Sequence, residues 1–311
     1  MALTPIQQDF AKFIADIWIS NDENIDPPTN FGDDGCSSGI ANGMFCHQYR
    51  ITNHRSWNKW RSGNQTGTIS QGIKFMAARQ THWWCQSLSE AAQHYSWTAS
   101  TVGTFAGLAT ALQMAMNSND QATTAKVCRN LFIWGGVARK PTDPSRLWIA
   151  NHEGTGTLIA NIQLAVKLLT PGCTAALTSF GSAGLLMNSA MTKIYAAANA
   201  DIIIYDGRVG AALGLLTRLF LTDNGKTSVP SDLDFLWGAS RTNPNSRDPS
   251  FDPYVFKSLN GYGIGDCDRA KIARIAGEVL SKTREFLNVA GTVVTMHELE
   301  KALFMVGYKV R

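Results

Sequence analysis

Apolar side chains recur at three- and four-residue spacing through most of this chain, the pattern of helices that bury one face. The spacing predicts helices over residues 4–18, 101–116, 120–134, 158–169, 175–186, 189–199, 207–221 and 266–287. Pro5 falls in the first turn of the first, where its missing N–H costs nothing. Gly135-Gly136 ends the helix over 120–134, and Pro171-Gly172 stops the one over 158–169. Residues 70–95 read as one or two further helices, and 232–237 as a short helix or turn. The last helix opens at Thr295, with Glu298 three positions on completing a capping-box pattern. Alternation at period two is scarce. Residues 131–134 and 202–205 are the only strand-like runs, and their helical context makes them helix ends or connectors. Residues 21–43 and 53–72 read as long N-terminal loops. With no internal repeat and no low-complexity linker, the expected fold class is mainly α: a single domain of two lobes built from interleaved segments.

Residues 189–213 stand out within this pattern. Met191, Ile194, Tyr195 and Ala198 mark one helix; Val209, Leu213, Leu216 and Phe220 mark the next. The connector, Asp201-Ile202-Ile203-Ile204-Tyr205, is short and apolar. Asp206 stands where the second helix begins, an N-cap position. Lys193 lies thirteen residues upstream. A carboxylate and an amine near one cleft suit chemistry at a sugar C1 carbon. The same two residues also fit a plain helix cap and a solvated lysine.

Thr192-Lys193 and Tyr205-Asp206-Gly207-Arg208-Val209 resemble the core of the helix-hairpin-helix DNA glycosylase superfamily, near its 8-oxoguanine-glycosylase-like branch. The resemblance spans about residues 180–216. It implies a helical fold of that type, with a hairpin-like catalytic core over 180–221. It implies that Asp206 is the catalytic aspartate. It also implies that Lys193 is the lysine that, in bifunctional members, attacks C1 and forms a Schiff base. Ser189, Thr192 and Arg208 are DNA-binding candidates of the same stretch. The chain departs from the family in two ways. Its hairpin turn, Leu186-Met187-Asn188-Ser189, carries no glycine after Gly184, and its lysine-to-aspartate spacing is shorter than in common members.

Composition changes the picture only in part. The chain has 311 residues, 44% hydrophobic and 17% charged, which describes a globular protein. No apolar run reaches the roughly 18 residues of a membrane span. The first residues lack the basic start and cleavage site of a signal peptide, so a cytoplasmic protein with no membrane partner is expected. The six cysteines show no Cys-x-x-Cys pair. Neither an iron–sulfur cluster nor zinc is expected, no other cofactor is implied, and buried free thiols are the reading.

The net charge of +4 is uneven. Residues 50–148 hold eleven Lys and Arg against three acids, and seven of the nine tryptophans. Basic residues interleaved with aromatics suit a polyanion partner. Arg55, Lys59 and Arg61 form the densest cluster, on a loop. Arg241 and Arg247, on the polar loop 238–249, are further candidates for phosphates beside an extruded nucleotide. Phe75, His82, Trp83 and Trp84 are the candidates for a base pocket, because a flipped base stacks on aromatics.

The expected activity is DNA base excision with the nucleotide extruded, and no obligate protein partner is evident. Asp206 would stabilise the oxocarbenium character of the sugar and orient water, as carboxylates do in glycoside hydrolysis. Lys193 would add AP-lyase activity if its amine were uncharged, which burial or a basic neighbour brings about. The long N-terminal loops fit bulky modified bases of the phage type, and with them a role in host defence. Two alternatives stay open: a non-catalytic nucleic-acid-binding or defence module of the same fold, and a helical protein-interaction protein.

Overall fold

The computed structural model describes residues 3–19, 36–41, 44–50, 73–76, 80–95, 97, 101–181, 184–240 and 243–311; at 41, 44, 50, 73–76 and 80–82 only the backbone is described. In chain order the elements are α1 (Pro5–Asp16), β1 (Cys36–Ala41), β2 (Met44–Arg50), β3 (Ile73–Met76), β4 (Gln80–Cys85) and α2 (Leu88–Gln93). There follow α3 (Phe105–Asn117), α4 (Gln121–Gly135), α5 (Pro144–Gly154), α6 (Leu158–Leu169) and α7 (Met191–Ala198). The last are α8 (Gly207–Asp223), α9 (Asp266–Val289) and α10 (Met296–Val306). The protein is mainly helical. Among the described residues no helix is long and apolar enough to cross a membrane.

Local chemistry accounts for the helix ends. Asp120 caps α4, its Oδ1 accepting from Thr123 N at 2.9 Å. Gly136, at φ +62°, takes the left-handed stop behind it. Thr295 and Glu298 cap α10 reciprocally: Glu298 N donates to Thr295 Oγ1 at 3.1 Å, and Thr295 N to Glu298 Oε2 at 2.7 Å. Helix α5 was not anticipated. Its signal is Asp143-Pro144, a cap whose Oδ1 accepts from Ser145 N at 2.9 Å, followed by proline at the first helical position.

Two expectations are corrected. Among the described residues of 175–186 the one helical piece is a 3-10 turn, Thr178–Phe180. Gly181 and Gly184, the latter at φ +89°, break the segment before a helix can propagate. Residues 70–95 are not helical throughout, since β3 and β4 precede the short α2. With β1, which falls in the expected loop 21–43, and β2 they form an antiparallel sheet of order β1-β2-β4-β3. Apolar alternation does not mark the strands, because the inward positions of β2 mix Phe45 and Tyr49 with His47. The signal available was Asn42-Gly43 between Ala41 and Met44, which pair, since Asn-Gly marks a two-residue hairpin.

The chain divides into two compact units, each assembled from separate segments. One comprises Ala99–Asp206 with Tyr262–Glu278. Its centre is α7, buried on every side from Met191 to Ala197 and packed by α3, α4 and α6. The other comprises Leu3–Thr98, Gly207–Gly261 and Val279–Arg311. There α8 is the central helix, with α1 and α10 against it.

In this second unit one face of the sheet packs on α10. Tyr49 stacks on Trp83 at 5.0 Å and on Tyr308 at 5.2 Å. Its hydroxyl donates to Met305 O at 3.2 Å. His47 is fully buried, with Nε2 3.0 Å from Val306 O and Nδ1 2.6 Å from Ser38 Oγ. The carbonyl requires a proton on Nε2, which leaves Nδ1 to accept from the serine in the neutral ring.

Burial pushes His47 down to about 4, and largely buried His94 down to about 4 for the same reason. Unfolded, each binds its proton near pH 6.5. The unfolded state therefore holds more protons between pH 6.5 and 4. Stability is complete above that window and falls as pH drops through it. Each histidine contributes on the order of 2–3 kcal/mol to that slope. Urea unfolding followed at pH 7.5 and 4.5 should show the loss, and His47→Gln should flatten it.

Candidate active site

The candidate site lies in the first unit. Thr192, second residue of α7, donates its hydroxyl to Tyr205 O at 3.2 Å, and this fastens the start of the helix to the residue before Asp206. Asp206 directly precedes α8 and is half-buried. Lys193 follows Thr192 and is 5% exposed. Its Nζ donates to Ser189 O at 2.8 Å, one turn back. The helix that bears the amine and the connector that ends in the carboxylate are thus tied by one buried hydrogen bond.

The turn before α7 is fixed by side chains that the sequence reading passed over. Asn188 Oδ1 accepts from Ala190 N at 2.9 Å and Met191 N at 3.1 Å, so Asn188 holds the turn that leads into the helix, whose N-cap position is Ala190. Asp266 Oδ2 accepts from Met187 N at 3.2 Å, while its Oδ1 pairs with Arg269 at 2.7 Å. Tyr195 donates to Leu186 O at 2.8 Å. Burial, with Asp266 nearby, holds the Tyr195 phenol far above its ordinary range, so it stays a neutral donor. The amides of Met187, Ala190 and Met191 are therefore engaged within the protein. Asn before an apolar helical run was the one legible cue; Asp266 is far off in sequence.

The expected DNA-binding residues disperse. Thr192 is 2% exposed and turned inward, so it is corrected from a DNA contact to an internal tie. Ser189 is half-buried and serves through its carbonyl. Arg208, in the second unit, lies over Phe304 at 4.2 Å, Tyr308 at 4.9 Å and Trp97 at 6.0 Å. Arg247 ends a 3-10 turn, Pro244–Arg247, with Nε 3.4 Å from Tyr308 O. Arg55, Lys59, Arg61 and Arg241 lie outside the described residues.

Comparisons with protein-family models, with curated proteins and with solved structures find no match to this chain.

The expected base pocket is corrected at Trp83, which is fully buried and stacked on Tyr49. Trp84 is half-buried, edge-on to His94 at 6.4 Å. Phe75 and His82 stand on β3 and β4, and their side chains are outside the described set. In the basic segment 50–148, Trp134 is also buried, while Trp97 and Trp148 are half-buried. Several arginines there also make internal contacts: Arg139 donates to Gly136 O at 3.0 Å, Arg146 to Ala138 O at 2.5 Å, and Arg129 pairs with Glu153. The thiols are also mixed. Cys85 and Cys128 are buried, Cys36, Cys46 and Cys173 are half-buried, and Cys267 is exposed, which corrects the expectation of uniform burial. Among the described residues no group of three or more His, Cys, Asp or Glu is placed to hold a metal.

Proposed function

We propose that the chain is a DNA glycosylase that releases a damaged or modified base by hydrolysing its N-glycosidic bond. One observation carries the reading: a half-buried carboxylate at a helix start, Asp206, fastened through Thr192 and Tyr205 to the helix that bears a buried amine, Lys193. Bond cleavage builds positive charge on the sugar. A carboxylate offsets that charge and orients the attacking water. Asp206 takes both tasks. The amine of Lys193 rests on Ser189 O, which favours simple hydrolysis over a Schiff base. Bulky modified bases of the phage type are the substrate class to try first.

A second reading draws on the engaged amides of Met187, Ala190 and Met191. In the resembled superfamily that turn grips DNA through its backbone. With those amides already satisfied the turn lacks that grip, which favours a non-catalytic defence module that keeps the fold, any nucleic-acid binding then lying elsewhere on the chain.

The deciding experiment incubates the protein with DNAs carrying oxidised, alkylated, deaminated and phage-type modified bases. Mass spectrometry detects free base, and alkali reveals abasic sites. Release from one class supports the glycosylase. Tight, salt-sensitive binding with no release from any DNA supports the module and removes the enzyme.

A further inference from the structure

Lys193 is a long polar-tipped side chain in the central helix of its unit, and such a group is costly to bury unless its position is fixed by partners. The stem that carries it crosses the end of α4. A Cβ built on Gly135, the last residue of α4, would lie 2.5 Å from Lys193 Cδ and closer still to Cε. The next atom it would meet is Val137 Cγ2 at 3.5 Å, an ordinary contact. Gly135 is helical, and the left-handed stop belongs to its neighbour Gly136. The backbone at 135 therefore has no need of glycine, and a helical glycine costs up to about 1 kcal/mol against alanine. What a side chain there would displace is the lysine.

We infer that Gly135 is a positioning residue for Lys193: by carrying no side chain it leaves the berth in which the stem lies, and so holds the amine on Ser189. The berth stands on geometry alone. Its bearing on chemistry rests on the glycosylase reading. Alanine at 135 would collide only with the flexible end of a side chain, so the conflict is resolved by moving Lys193 and not by rearranging α4.

Site-specific acetylation tests this without any DNA. The protein is treated with a limiting dose of an N-hydroxysuccinimide ester of acetate and read by peptide mass spectrometry, with exposed Lys226 and Lys271 as internal standards. In the parent protein Lys193 should react at least ~10-fold more slowly than the standards, given its burial. In Gly135→Ala it should react within ~3-fold of them, because a displaced amine turns to solvent. An unchanged ratio overturns the inference.

A double-mutant cycle covers the case in which Gly135→Ala folds poorly. In a Lys193→Ala background the berth is empty, so Gly135→Ala should raise the unfolding midpoint by about 2 °C through helix propensity. An equal fall in both backgrounds would show that glycine serves the backbone, and the inference fails. Base release, measured in parallel, reports on the reaction separately. Exposure of Lys193 with release unchanged keeps the berth and removes Lys193 from the chemistry. Absence of release in the parent protein sinks the glycosylase reading, and the acetylation result stands either way.

Discussion

Asp206→Asn is expected to lower the single-turnover rate of base release by about 10²–10⁴-fold, the range associated with a positioned carboxylate in acid–base work. Asparagine caps a helix about as well as aspartate does. The unfolding midpoint should therefore stay close to that of the parent, and DNA affinity should change little. Asp206→Ser sharpens the comparison, since serine also caps but places no carbonyl oxygen where the carboxylate stood. Both variants should be inactive and stable. Rapid-quench assays at saturating DNA, beside thermal melts, give both quantities from the same preparations. A variant that retains full release would show that Asp206 is a cap and nothing more.

Trp83→Ala is expected to cost about 3–5 kcal/mol of stability, the usual toll of emptying a fully buried aromatic site. The ring stacks on Tyr49, which itself stacks on Tyr308, and lies edge-on to His47 and His94. Its indole N–H has no hydrogen-bond partner among the described residues. Trp83→Phe removes that orphaned donor along with part of the ring volume, so it should cost much less than alanine. Urea titrations monitored by near-ultraviolet circular dichroism would rank the two. If Trp83→Ala instead kept the parent stability and lost only DNA affinity, the ring would belong to a binding surface after all.

Sequence period reads the helices because their burial is strong and regular. Residues 158–169, bounded by proline and glycine, match α6 to the residue. The capping box at Thr295 and the stop at Gly136 are local chemistry, written in adjacent positions. The sheet was not legible from apolar alternation because His47 occupies an inward position whose partners, Ser38 and Val306, come from a neighbouring strand and from a helix some 260 residues on. The candidate site divides in the same way. Lys193 and Asp206 are marked by residue type and spacing. The berth at Gly135 is not, because a glycine beside Gly136 reads as a helix stop, and its conflict with Lys193 exists only once α4 and α7 pack. Asp266, which holds Met187 N, and Thr192, tied to Tyr205, depend equally on tertiary placement.

The interleaved segments set an order of completion during synthesis. The first unit needs nothing beyond Glu278, so every residue of its core is available while α10 is still untranslated. The second unit cannot close until the C-terminal stretch arrives, because Met305 and Val306 accept the buried hydrogen bonds of Tyr49 and His47. The inner face of the sheet, made early on the ribosome, thus waits through more than half the chain for its cover. A nascent chain stalled before residue 296 would expose Phe45, Tyr49 and Trp83 to chaperones and to other copies of itself.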